Sequence, residues 1–290
     1  ITISSGQNYT LNIEPSSSPN SRGYFYGNYK NVKLGRNIKR QGNYATFRSI
    51  LGGDNTRYNI GSSQNLTKYR LIIESGYYQT MSITNTNNQN SNHQNIYIKA
   101  EAIYGNDYDR VSDNNNNLIL YYCACGSWND NYYSNSNAGI LFTLTVKSGI
   151  YGQGKKDYTS GIYVGGRMGG EHYAARKIVV EGGSIYNLIG GPLTNSSRQN
   201  YNDTYIYMTG GEVSMITSGA GQTATYGNRI VQITGGKVLY SVFGGSNGYN
   251  ANEGDGKLNG SSYLYIGGVA EIGDEALVSN NDTLFGAESG

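Results

Sequence analysis

Charged side chains are scarce in this chain. Asp, Glu, Lys and Arg make up 14% of its 290 residues, against roughly a quarter in ordinary soluble domains. The net charge is only +2 and the basic residues are scattered, so no nucleic-acid partner is predicted. Solubility must therefore come from the hydroxyl and amide groups of Tyr, Ser, Thr and Asn.

Cysteine, histidine and long apolar runs are also missing or rare. Two cysteines cannot form a disulfide framework. No apolar stretch is long enough to predict a membrane span. The chain begins abruptly with the strand-like segment Ile1–Ile3, which indicates a processed segment or a fragment of a larger precursor.

Glycine and tyrosine are abundant instead, with 42 and 29 copies. Tyr, Ile, Val and Thr favour β-strands, and few residues here favour helices. The apolar residues fall in short alternating runs, so the chain has surface to bury and disorder is disfavoured.

A strand, Gly-Gly, strand unit recurs in the second half of the chain. Its cleanest copies are Ile178–Ile185, Ile206–Val213 and Val231–Val238. The second glycines of successive units are 34, 28, 25 and 32 residues apart, a spacing typical of repeat architectures. These glycines are Gly149, Gly183, Gly211, Gly236 and Gly268.

The repeat predicts an all-β fold, specifically a parallel β-helix (a β-solenoid). Stacked coils bury one face of each short strand and pair its backbone edges, and glycine pairs suit the corners, where positive φ is often required. We predict a single domain over 1–290, with irregular coils and long loops in 1–140 and regular coils in 141–290. An antiparallel β-sandwich with Gly-Gly hairpin turns is the alternative.

Two segments carry a resemblance to a known class of proteins. Ile233–Asn247, and the stretch from Asn31–Arg36 to Ile50–Asp54, resemble right-handed β-helix surface proteins of low-GC Gram-positive and related gut bacteria. The resemblance covers about half of the chain. It implies a right-handed coil and a secreted, cell-surface or adhesin-like parent protein, and it carries over no catalytic residues.

Tyrosines supply the best candidate binding residues. Tyrosine rings with polar tips suit sugar stacking or protein contact, although Tyr also serves simply as a large strand former. The candidate ligand-binding residues are Tyr77, Tyr78, Tyr205, Tyr207, Tyr263 and Tyr265.

Acidic residues offer a possible calcium site but no recognisable catalytic site. Asp107 and Asp109 would share a face of an extended segment, with Asp113 beyond them, and such oxygen ligands suit Ca²⁺. A solvated loop is the favoured explanation of these three residues. Glycosidases need two carboxylates about 5 to 9 Å apart. Asp203 with Glu181, or Glu212 with Asp255, are conceivable pairs that the spacing does not support.

Three hypotheses for the function follow. The first is a non-catalytic extracellular structural or adhesive module that presents loops and a Tyr-rich face to glycans, host proteins or copies of itself, with filament or lattice assembly as a variant. The second is a polysaccharide-active enzyme (lyase, hydrolase or tailspike-like depolymerase), which needs converging carboxylates. The third is a carbohydrate-binding module without turnover.

Overall fold

A computed structural model describes a set of short segments that extends along most of the chain. These segments are residues 9–11, 24–27, 31–34, 47–52, 67–74, 76–82, 98–105, 118–124, 132–133, 140–152, 161–164, 171–172, 175–191, 203–220, 225–245, 259–273 and 283–285. Their regular structure is entirely β, without a helix.

Two strands in the second half of the chain, of 14 and 15 residues, are about twice as long as any other. They are β1 (Tyr9–Leu11), β2 (Tyr24–Tyr26), β3 (Val32–Leu34), β4 (Phe47–Leu51), β5 (Thr67–Ile73), β6 (Gly76–Ser82), β7 (Ile98–Tyr104), β8 (Leu118–Ala124), β9 (Tyr132–Tyr133), β10 (Ile140–Val146), β11 (Ile150–Tyr151), β12 (Gly161–Tyr163), β13 (Glu171–His172), β14 (Ala175–Val180), β15 (Ser184–Ile189), β16 (Thr204–Thr217), β17 (Arg229–Phe243), β18 (Ser262–Ile266), β19 (Glu271–Ile272) and β20 (Thr283–Phe285).

The strands stack in two parallel columns. The first column runs β1, β3, β5, β7, β10, β14, the first half of β16, the first half of β17, and β18. The second runs β2, β4, β6, β8, β11 with β12, β15, the second halves of β16 and β17, and β19 with β20. One level of the two columns makes a coil. The described residues form nine coils, numbered 1 to 9 in chain order, so that coil 3 is β5 with β6, coil 7 is β16, coil 8 is β17, and coil 9 begins with β18.

Every strand pairing among the described residues is parallel, so the antiparallel sandwich is wrong. This is the strand arrangement expected of a β-solenoid, in which each coil rests on its neighbours. A separate two-residue pair, β9 with β13, lies outside the two columns.

The core is built from rows of aligned inward side chains. Alternation along each strand points every second residue inward, and the register places like positions of successive coils above one another. One wholly buried row in the first column consists of Leu71, Ala102, Leu144, Ile178, Ile206 and Val231. Because each member contacts the coils above and below, the core is continuous along the stack.

A glycine lies at the bend where the chain passes from the first column to the second. The second glycine of every predicted unit has a positive φ, as predicted: Gly149, Gly183, Gly211, Gly236 and Gly268. At Gly236, with φ +83°, a Cβ atom would also lie 2.6 Å from the carbonyl oxygen of Gly211. A side chain there is therefore excluded both by backbone conformation and by the coil below.

A ladder of side-chain oxygens marks the start of the first column. Asp203 Oδ1 accepts a hydrogen bond of 2.7 Å from the Asn228 backbone N–H, and Asn228 Oδ1 accepts one of 3.1 Å from the Ser261 N–H. Asn31 Oδ1 does the same for the Arg70 N–H at 2.8 Å. These bonds hold successive coils in register where the strands begin.

Candidate binding surface

The outer face of the first column carries four of the six candidate tyrosines. Tyr205 and Tyr207 lie in coil 7 and Tyr263 and Tyr265 in coil 9, all at outward positions of alternating strands. The register aligns Tyr205, Ile230 and Tyr263 in one row. It aligns Tyr207, Gln232 and Tyr265 in the next row. We call these six residues the tyrosine face.

The spacing of the tyrosine face follows from sheet geometry. Neighbouring strands lie about 4.8 Å apart, so residues two coils apart in one row are separated by roughly 9.5 Å. Within a strand, alternate residues are roughly 6.6 Å apart. The four tyrosines thus occupy the corners of a small rectangle, with Ile230 and Gln232 between its two halves.

The two halves of the rectangle differ in exposure. The side chains of Tyr263 and Tyr265 are 60% and 58% exposed, whereas Tyr205 and Tyr207 are half-buried. Gln232, between them, is exposed and contributes both an amide donor and an acceptor. The coil 9 rings are therefore the more accessible part of the surface.

Polar neighbours hold the two coil 7 rings in place. The Lys177 Nζ lies 4.9 Å from the centre of the Tyr207 ring, a cation–π contact. The Tyr205 hydroxyl lies 3.5 Å from Asp203 Oδ2. Burial, and then the nearby Asp203 carboxylate, raise the pKa of Tyr205 above its ordinary value, so this hydroxyl remains a neutral hydrogen-bonding group at physiological pH.

The other two candidate tyrosines are not part of this surface. Tyr77 and Tyr78 lie in β6, in coil 3 of the second column. They therefore belong to a different strand column and lie four coils or more from the tyrosine face. The structure brings together four of the six residues that the sequence singled out.

The candidate calcium ligands lie outside the described residues. These ligands are Asp107, Asp109 and Asp113, and the calcium site stays a prediction. In the segments that the structure does describe, no three His, Cys, Asp or Glu side chains come close enough to hold a metal ion.

The conceivable carboxylate pair Asp203 and Glu181 does not form. Asp203 aligns with Ala175 at the start of the first column, while Glu181 follows the other end of the same strand. Six residues of strand separate the two levels, or roughly 20 Å, well beyond the separation that glycoside hydrolysis needs. Asp255, the proposed partner of Glu212, lies outside the described residues.

The structure also reveals buried arginines that the sequence analysis missed. Arg176 and Arg229 are inside the solenoid and fully buried, in an inward row that runs Phe142, Arg176, Thr204, Arg229. The alternation of the strands indicates this burial. Arg176 lies two residues before the buried Ile178, and Arg229 lies two residues before the buried Val231, so each arginine shares the inward face of its strand.

Main-chain and hydroxyl oxygens accept hydrogen bonds from one nitrogen of each guanidinium group. Arg176 Nη1 donates to the Val164 carbonyl at 3.0 Å and lies over the Phe142 ring. Arg229 Nη1 donates to Thr204 Oγ1 at 3.2 Å and to the Asn228 carbonyl at 3.0 Å. Burial lowers the pKa of Arg229 to about 10, although Asp203 acts in the opposite direction.

Comparison with known proteins adds no relative. No protein-family model, curated protein or solved structure matches the chain. The described residues include no helix that is both long and apolar enough to cross a membrane.

Proposed function

We propose that this chain is a non-catalytic structural and adhesive module of a cell-surface protein, folded as a right-handed parallel β-helix, whose tyrosine face binds glycans. The observation that carries the proposal is the rectangle formed by Tyr205, Tyr207, Tyr263 and Tyr265 on one outer face. The resemblance of Ile233–Asn247 to bacterial surface β-helices supports the extracellular location and the hand.

The chemistry of the face favours a neutral glycan. Tyrosine rings offer an apolar plane for the C–H groups of a sugar and a hydroxyl at the tip. The six residues of the face include no ionised side chain, and the charges beside it, Lys177 and Asp203, are of opposite sign, so the face does not select for a charged polymer.

The spacing favours an extended chain of sugars. In an extended β-linked glycan, adjacent rings are flipped, so rings two apart present the same face in the same direction. The separation of roughly 9.5 Å between aligned tyrosines is close to the length of one such disaccharide. A glycan lying along the solenoid axis would therefore place equivalent rings on coil 7 and on coil 9.

Binding to neutral polysaccharides tests the proposal. We expect the chain to bind soluble oligosaccharides or insoluble fibres of neutral β-linked sugars, measured by calorimetry and by co-sedimentation. Changing both Tyr263→Ala and Tyr265→Ala should weaken binding at least about tenfold, equivalent to about 1.4 kcal/mol. The control is Tyr240→Ala, because Tyr240 is 37% exposed but lies in the second column.

Three outcomes would contradict the proposal. Equal binding by the double variant would remove the tyrosine face from the glycan site. Absence of binding to every neutral glycan would favour a protein partner. Release of new reducing or unsaturated sugar ends during incubation would instead support the enzyme hypothesis.

A further inference from the structure

Within the described part of the chain, β18 has one unpaired edge. β18 (Ser262–Ile266) pairs with β17 on one side, and among the described residues no strand pairs with its other side. In contrast, the first halves of β16 and β17 each pair on both sides. Coil 9 therefore presents a strand edge that can accept a further strand.

The hydrogen bonds on the closed side fix which backbone groups face the open side. The Gly267 N–H donates to the Ile233 carbonyl at 2.9 Å, and the Ser261 carbonyl accepts from the Arg229 N–H at 2.8 Å. Backbone groups of successive strand residues point to opposite edges. It follows that Ser262, Leu264 and Ile266 direct their N–H and C=O groups toward the open edge.

The core is also uncovered at this coil. In coil 8, the inward residues Val231 and Ile233 are 1% and 0% exposed. Their equivalents one coil later, Leu264 and Ile266, are only partly buried, although they pack against the same core. The hydrophobic core thus continues through coil 9 and ends there partly exposed to solvent.

The strand Ser262–Ile266 is complementary to itself when a second copy runs antiparallel to it. We propose that two copies of this chain pair through β18 about a twofold axis centred on Leu264. Leu264 then faces its own counterpart, and Ser262 faces the Ile266 of the other copy. All three are residues whose backbone groups point to the open edge, so each facing pair can exchange both hydrogen bonds, as an antiparallel ladder requires.

The side chains match in the same register. Leu264 and Ile266 would meet inward residues of the other copy and so extend the core across the axis. Tyr263 would lie opposite the Tyr265 of the other copy on the outer face, where cross-strand aromatic pairs are favourable. Registers centred on neighbouring residues keep the same alternation, but only the one centred on Leu264 pairs all five residues of β18 with β18 of the other copy.

A second copy fits this edge better than a charged partner or a head-to-tail filament. Residues 259–273 contain a single charged residue, Glu271, and so lack the lysines with which natural edges prevent pairing. A twofold contact uses the same surface on both copies and closes on itself. It needs no complementary surface at coil 1. Because Tyr263 and Tyr265 belong to both proposals, the variants that test dimerisation leave these two tyrosines unchanged.

The association state of the full chain tests the proposal. We expect a reversible dimer and no larger species in sedimentation equilibrium. Leu264→Lys brings two like charges together on the axis and should weaken dimerisation at least about a hundredfold. Tyr240→Lys, an exposed change in the second column, should leave it unaltered. Far-UV circular dichroism checks that both variants keep their β-structure.

A cross-link distinguishes the twofold contact from other assemblies and does not depend on the lysine variant folding. Facing residues of a hydrogen-bonded antiparallel pair have Cα atoms about 5.5 Å apart, within disulfide range. With Cys123→Ser and Cys125→Ser as background, Leu264→Cys should oxidise to a covalent dimer, whereas Val269→Cys, 82% exposed in the same coil, should not.

Two results would overturn the proposal. One is a chain that stays monomeric, or that forms open-ended polymers, at every concentration measured. The other is a dimer in which Leu264→Cys fails to cross-link to itself, since every contact centred on this residue would then be excluded.

Discussion

Coils 3 and 4 share a backbone register with coils 7 to 9 but carry a different outer surface. A single outward row begins with Arg70 and Glu101 and ends with Tyr205, Ile230 and Tyr263. Its first two members form an ion pair of 2.7 Å, whereas its last three form half of the tyrosine face. The fold therefore constrains the inward rows and leaves the outward rows free to acquire a function.

The inward row that contains Arg229 also changes along the stack. Tyr69 lies in it in coil 3 and Phe142 in coil 5, and both are buried. In coils 6 to 8 the row holds Arg176, Thr204 and Arg229. Aromatic rings thus fill this part of the interior in coils 3 and 5, and hydrogen-bonded arginines fill it in coils 6 and 8.

The largest expected effect tests whether the two regions share one core. Leu71→Ala and Ile206→Ala remove equivalent, wholly buried side chains from coils 3 and 7. Each should lower the free energy of unfolding of its region by about 2 to 5 kcal/mol, measured by urea denaturation. The outward neighbours Ile72→Ala and Tyr207→Ala should cost clearly less. A large loss for Ile206→Ala alone would mean that coil 3 is not packed as the described rows indicate.

A smaller effect, of opposite sign, is expected when the arginine row is made apolar. Replacement of buried ion pairs by apolar side chains of similar volume is often neutral or stabilises a protein by about 1 to 4 kcal/mol, because the cost of desolvating the charges is removed. We expect a gain in this range for Arg229→Met at neutral pH, measured by thermal and urea unfolding. Arg229→Lys keeps the charge and should show no gain.

The pH dependence checks the cause of that gain. Because the pKa of Arg229 is lowered to about 10 in the folded chain, its protonated form favours the unfolded state. The penalty is fully present below pH 10 and is relieved as the pH rises from about 10 toward the ordinary arginine pKa. The advantage of Arg229→Met should therefore shrink above pH 10. A constant advantage would assign the gain to packing rather than to charge.

The smallest expected effect concerns the ion pair of the first region. The Arg70 and Glu101 side chains are 57% and 42% exposed, so solvent screens their attraction. Arg70→Gln should cost at most about 1 kcal/mol, and a double-mutant cycle with Glu101→Gln should give a coupling that disappears in 1 M salt. A coupling that persists at high salt would show that the pair is buried more deeply than its neighbours on this face.

The sequence predicts the corners and the strand phases well. Each of the five glycines from Gly149 to Gly268 needs a positive φ, a purely local requirement that a Gly-Gly pair reports directly. The outward positions of Tyr205 and Tyr263 followed from alternation alone. The division into one domain and the binding role of the tyrosines stay predictions.

The sequence did not predict the contents of the interior or the alignment of distant residues. Arg176 and Arg229 have inward phase, but charged residues are rarely buried, so alternation alone does not predict a buried arginine. The rectangle of tyrosines depends on loop lengths, because loops set which residue of one coil lies above which residue of the next. For the same reason Tyr77 and Tyr78 looked equivalent to the other candidates but lie in the second column.

The parallel stacking has a mechanical consequence. The hydrogen bonds between coils run along the solenoid axis. A pull along that axis therefore loads the successive coil interfaces in series, and the interfaces break one at a time rather than together. The steps between the corner glycines, 34, 28, 25 and 32 residues, set the chain released per coil at roughly 80 to 120 Å when extended. A solenoid held at both ends would therefore lengthen coil by coil under load, and each coil that separates would dissipate part of the mechanical work.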